Sequence, residues 1–169
     1  RGGVALPYHE GLSKGVMIAI HHQGGIGYAS TADLSENGLS SAIATAKNWA
    51  KATGGHTVTD FDKINMPSNK GSYSSPISEH FSSRKISDHF EFLQGLSSKL
   101  NVGDDIVDWW AALQNTENQR LYVSNNGADI DQKFSYIIPH VGVRVTDGHD
   151  AIERSSSGDY GQQRGLELL

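Results

Sequence analysis

Cysteine is absent from the 169 residues, which removes disulfide staples and thiolate metal sites together. The absence fits a reducing compartment, so the expected location is the cytoplasm. No stretch approaches the roughly 18 apolar residues of a membrane-spanning helix, and no membrane partner is expected. Positive charge is also short. Fourteen Lys and Arg stand against 19 Asp and Glu, a net charge of -5, and the basic residues are scattered. Such a chain offers phosphates no field, so direct nucleic-acid binding is not expected.

What is present is enough for a core: 37% of the residues are hydrophobic, and the length suits a single domain over 1–169. The chain opens at Arg1 and closes on Gly165-Leu166-Glu167-Leu168-Leu169, an apolar run that needs a surface to pack against. We therefore expect a piece of a longer protein.

Gly15–His22 is rich in β-formers and reads as a strand. Gln23-Gly24-Gly25 supplies positive-φ positions for a hairpin turn, and Ile26–Thr31 returns as the second strand. Ser35 is placed to cap a helix, with Glu36 favourable to its dipole. Leu39, Ile43, Ala46 and Ala50 recur at helical spacing with Trp49 on the flank, and Gly54-Gly55 ends the helix. Residues 54–85 are polar, carry Pro67 and Pro76, and are expected to be a long loop or arm. A second helix, capped by Ser87, runs to Leu100 with Phe90, Leu93, Leu96 and Leu100 as its stripe.

Beyond Gly103 the period becomes two. Val107, Trp109, Ala111 and Leu113 share one face of a strand; Thr116–Asn118 reads as a turn and Arg120–Ser124 as the returning strand. Asn125-Asn126-Gly127 makes another turn before a long strand, Phe134–Thr146, in which Pro139 implies a bulge or an edge. Residues 147–164 are polar and rich in glycine and serine. The predicted order is ββαα-βββ, an α+β fold with two helices and an antiparallel sheet.

Several fragments of motifs invite chemistry. Gly11-Leu12-Ser13-Lys14-Gly15 matches the serine-hydrolase elbow, but that motif needs a strand before it and a helix after, and here a strand follows. His9-Glu10 lacks the second histidine of a zinc helix, His21 and His22 point to opposite faces of a strand, and Asp147, His149 and Asp150 fit surface-turn chemistry. Gly25-Ile26-Gly27-Tyr28-Ala29-Ser30 has only two glycines of a dinucleotide fingerprint, which leaves a hairpin strand packed closely on its neighbours. Trp109 and Trp110 face opposite ways and cannot form one stacking platform. No catalytic or metal-ligating residue is assigned, and the binding residues are left open.

From Glu10 the chain also resembles the N-terminal domain of the TldD/PmbA family, the modulators of DNA gyrase. The matching positions are Glu10, Gly11, Ser13, Gly15, Val16, Ile18, Gly25, Gly27, Ala29, Ser30, Thr31, Asp33, Leu34 and Ser35, followed by Leu121–Gly127. The resemblance implies the substrate-side or assembly domain of a metalloprotease that processes or degrades unfolded peptides. Its zinc, held by an HExxxH helix and a cysteine, would belong to a C-terminal part. Neither feature occurs in these residues, so the domain alone is expected to be inactive and to contain no cofactor. The partners implied are the C-terminal domain of the parent chain, a like or unlike subunit, and an unfolded peptide. A regulatory module acting on gyrase and a self-contained serine or metal hydrolase are the alternatives.

Overall fold

A computed structural model describes residues 1–59, 63–156 and 161–169. They form two compact units, one of His9–Pro67 and one of Arg1–Tyr8 with Ser68–Leu169. The fold is α+β.

In the first of these, β1 (Val16–His22) and β2 (Gly25–Thr31) form an antiparallel hairpin with Ile18 opposite Ala29 and Ile20 opposite Gly27. Gln23 and Gly24 take the positive φ of the turn, at 50° and 73°. Gly25, read from sequence as part of that turn, is instead the first residue of β2. Helix α1 (Glu36–Ala52) begins at Ser35, whose hydroxyl accepts the Gly38 amide at 3.2 Å. Its buried residues are Ala42, Ala46 and Ala50, so Ala46 and Ala50 of the predicted stripe are buried, whereas Ile43 is exposed and Ala42 takes its place. Small residues win because the helix backbone lies directly on the hairpin. A Cβ on Gly25 would sit 2.0 Å from the Ala50 carbonyl oxygen, and one on Gly27 2.0 Å from that of Ala46. Thr53 secures the helix end, accepting the Ile26 N–H at 2.9 Å and donating to the Ile26 carbonyl at 2.8 Å.

The other unit is a mixed sheet of four strands: β3 (Lys70–Ser74), β4 (Ile106–Val123), β5 (Asp129–Thr146) and β6 (Ala151–Ser156). Helix α2 (Ile86–Ser98) lies between β3 and β4 in sequence. Its cap differs from expectation. Lys85 takes the cap position and its N–H is accepted by the Asp88 carboxylate at 3.1 Å, while Ser87 lies inside the helix.

Three further expectations are corrected. Segment 54–85 holds β3, which pairs in parallel with Lys70 opposite Asp129, so a strand separates the two helices and the sheet is not purely antiparallel. Residues 60–62 of that segment lie outside the described residues. Thr116–Asn118 is no turn, because β4 runs unbroken through it with Glu117 opposite Ser135. Within 147–164, Ala151–Ser156 pairs with β5, and 157–160 lie outside the described residues.

Strand β5 is central, between β4 on one side and β3 and β6 on the other. Pro139 fits because of where it falls. The Ile137 N–H points away from β4, to the Gln162 carbonyl at 3.2 Å, so position 139 also faces that side. There β3 pairs only with 129–133 and β6 only with 141–146, so the missing amide costs no strand pairing. The core centres on Ile137 and Leu166, both fully buried. The terminal apolar run folds back onto its own chain. The Leu166 N–H donates to the Glu79 carbonyl at 2.7 Å, and the Glu167 carboxylate accepts the amides of Glu79 at 2.9 Å and Gly165 at 3.0 Å.

Candidate functional site

Among the described residues, β4 carries a long row of backbone groups with no strand partner. Order β3-β5-β4 leaves β4 at the rim, and its alternate amides and carbonyls point outward. Gly2 reveals which ones: its N–H donates to the Trp109 carbonyl at 2.7 Å, on the side away from β5. Odd-numbered residues from Ala111 to Val123 therefore turn their N–H and C=O groups to the open edge, and among the described strands none pairs with it there.

The start of this edge is held by the N-terminal segment. Arg1 forms an ion pair with Asp108, its Nε 2.8 Å from Oδ2, and its guanidinium lies 5.8 Å from the Trp110 ring centre. Hydrogen bonding and charge from Arg1 hold the Asp108 carboxyl below its ordinary range. The Trp110 ring packs against Gly142, where a Cβ would meet it at 2.1 Å. Trp109, opposite Val143, faces the other way, so the two tryptophans form no joint platform.

Along the edge the side chains change character. On one face Ala111 and Leu113 give way to Asn115, Glu117 and Gln119, then to Leu121 and Val123, which are 67% and 64% exposed. On the other face Arg120 lies over Phe134, 5.8 Å from its ring centre, and Phe134 lies near Tyr73 and Tyr136 at 5.4 and 6.3 Å. This edge offers backbone hydrogen bonds, intermittent apolar surface and little charge. That is the chemistry of an extended peptide joining a sheet, where main-chain pairing supplies affinity with little demand on sequence.

The side chains that invited catalysis do not assemble. Ser13 is exposed in irregular chain just before β1, and strand β1, not a helix, follows it directly. The Asp147 carboxylate accepts the amides of His149 at 2.9 Å and Asp150 at 2.8 Å, which lowers its pKa and commits it to the turn. His89 is buried, stacked on Phe81 at 4.1 Å, with Nε2 donating to the Phe81 carbonyl at 3.1 Å. Among the described residues no three His, Asp or Glu side chains come together as a metal site would require. A shallow depression lined by Gly15, Val16, Met17, Ser30, Thr31 and Ala32 contains no titratable group. The Gly25–Ser30 segment is not a phosphate loop, since both its first glycines are pressed against α1.

No family model matches the chain, and no curated protein matches it. A solved structure shares the fold. It is described as a "putative modulator of DNA gyrase" from Bacteroides thetaiotaomicron, with a TM-score of 0.65 at 14% identity. The match covers 85% of this chain and 33% of that one, so the chain spans about a third of that protein's length. At this identity the likeness is one of fold.

The β4 edge escaped sequence reading because the polar run Thr116-Glu117-Asn118 looks like a turn. A signal was available: no glycine or proline occurs between Asp104 and Ser124 to turn the chain.

Proposed function

We propose that this chain is a peptide-binding and assembly domain of TldD/PmbA type, inactive by itself, within a metalloprotease that processes or degrades unfolded peptides in the cytoplasm. Its catalytic zinc would be supplied by a C-terminal part, and it would pair with a like or unlike subunit. The open edge of β4 from Ala111 to Val123 is the observation that carries the peptide role. The fold shared with the gyrase-modulator structure supports the family.

The test uses proline as a probe of single outward amides. Asn115→Pro and Glu117→Pro remove donors that face the open edge and leave the β5 ladder intact. Each is expected to weaken binding of a labelled, permanently unfolded peptide about fivefold, the worth of one hydrogen bond of roughly 1 kcal/mol. Circular dichroism should remain unchanged. Binding by both variants as tight as that of the parent chain, or no binding by the parent chain, overturns the peptide role.

The description of the similar structure favours a second reading, a protein-binding module acting on gyrase. Pull-down with purified gyrase separates the two. A self-contained hydrolase has no assembled site in its favour among the described residues, and any activity unaffected by Ser13→Ala would remove Ser13 from consideration.

A further inference from the structure

Of the nine asparagines only Asn37 and Asn126 precede glycine, the neighbour whose backbone nitrogen is least hindered. The fold treats these two pairs differently. Asn126-Gly127 lies at the exposed tip joining β4 to β5, with Gly127 at φ +94°. The Gly127 N–H donates to the Ser124 carbonyl at 3.1 Å. Ser124 Oγ accepts the Ala128 N–H at 3.2 Å and donates to Asn126 Oδ1. A proton held against Oδ1 withdraws electron density from the side-chain carbonyl carbon and makes it a better electrophile.

Asn37-Gly38 opens helix α1. Gly38 donates to Ser35 Oγ, and a Cβ on it would lie 2.4 Å from the Asp33 carbonyl oxygen. Bringing the Gly38 nitrogen onto the Asn37 side chain would unwind the first helical turn and break its cap. At the hairpin tip the Gly127–Ser124 hydrogen bond must yield, and exposed turns open locally at low cost.

We propose that Asn126 is a site of spontaneous, irreversible deamidation, and that the fold directs this chemistry to the hairpin tip and away from Asn37. The Gly127 nitrogen bonds to Asn126 Cγ, the bond from Cγ to the side-chain nitrogen breaks, and ammonia leaves with the proton from the Gly127 amide. The resulting succinimide takes up one solvent water. Opening at one carbonyl gives aspartate, and opening at the other gives isoaspartate, whose backbone is one methylene longer. Either product adds a negative charge three residues before Asp129. The isoaspartate also lengthens the turn that aligns Val123 with Asp129.

The full chain is incubated at mildly alkaline pH and mapped by peptide mass spectrometry, with isoaspartyl methyltransferase labelling to identify the linkage. Native protein should lose Asn126 about tenfold faster than Asn37, a barrier difference of roughly 1.4 kcal/mol. In urea the two should react at similar rates, because the protection of Asn37 is structural. Asn126→Gln, whose longer side chain closes a less favourable ring, should stay unmodified at 126 under the same conditions. An unmodified Asn126, equal native rates at both sites, or aspartate with no isoaspartate overturns the proposal.

Discussion

At Gly25 and Gly27 any side chain would collide with the backbone of α1. The glycine pattern was visible in the sequence, where an incomplete dinucleotide fingerprint left a hairpin strand packed closely on its neighbours. The structure identifies the neighbour: the glycines serve a close approach of helix α1 to the hairpin. Gly27→Ala should therefore destabilise the protein by about 1–3 kcal/mol as α1 is forced away. Gly71→Ala, at an exposed position with nothing near its would-be Cβ, should stay within about 0.5 kcal/mol. Urea unfolding compares the two; equal midpoints would refute the close-packing account. Glu167 gives a second prediction. Hydrogen bonds from the Gly165 and Glu79 amides bring its carboxyl from an ordinary 4.5 down to about 2. A depressed carboxylate pKa means that the ionised form stabilises the fold above the unfolded value, and that this contribution is lost as pH falls through the folded one. Tm should thus decline between about pH 4.5 and 2 less steeply in Glu167→Gln than in the parent. Parallel declines would show that the carboxylate does not hold the terminal segment.

At the level of elements, local signals succeeded where a segment is buried on one side. The β1–β2 hairpin and the start of α1 were legible because alternation, turn glycines and a serine cap act locally. Both helices were found, although the α2 cap was misplaced by two residues: Ser87 is the better cap by type, but Asp88 reaches back to the Lys85 amide. β3, Lys70-Gly71-Ser72-Tyr73-Ser74, is exposed at every position and has almost no apolar pattern. It is a strand because β5 offers it a ladder. β4 was read as two strands because it is exposed on both faces from Glu117 onward, and alternation fades where there is no core to face. Its hydrogen exchange should alternate. Even-numbered amides from Ala112 to Tyr122, directed at β5, should be protected, and odd-numbered ones from Ala111 to Val123 should exchange quickly. Uniform protection along β4 would mean that its outer edge is covered.

For the molecule as a whole, charge is the property that composition determines most directly. With a net charge of -5 and no basic cluster, the chain is expected not to bind duplex DNA at physiological salt, measured by fluorescence anisotropy. Saturable binding that weakens steeply with added salt would overturn this expectation. No described helix is long and apolar enough to cross a membrane, in line with the absence of a long apolar run. By itself the sequence determined the α+β class, the helices and the hairpins at Gln23-Gly24 and Asn125–Gly127. Each depends on spacing, capping or conformational preference within a few residues. Tertiary structure alone decided the parallel pairing of β3, the folding back of Leu166 and the outward row of amides that forms the candidate site. Those features depend on hydrogen bonds and contacts between residues tens of positions apart, which no local pattern encodes.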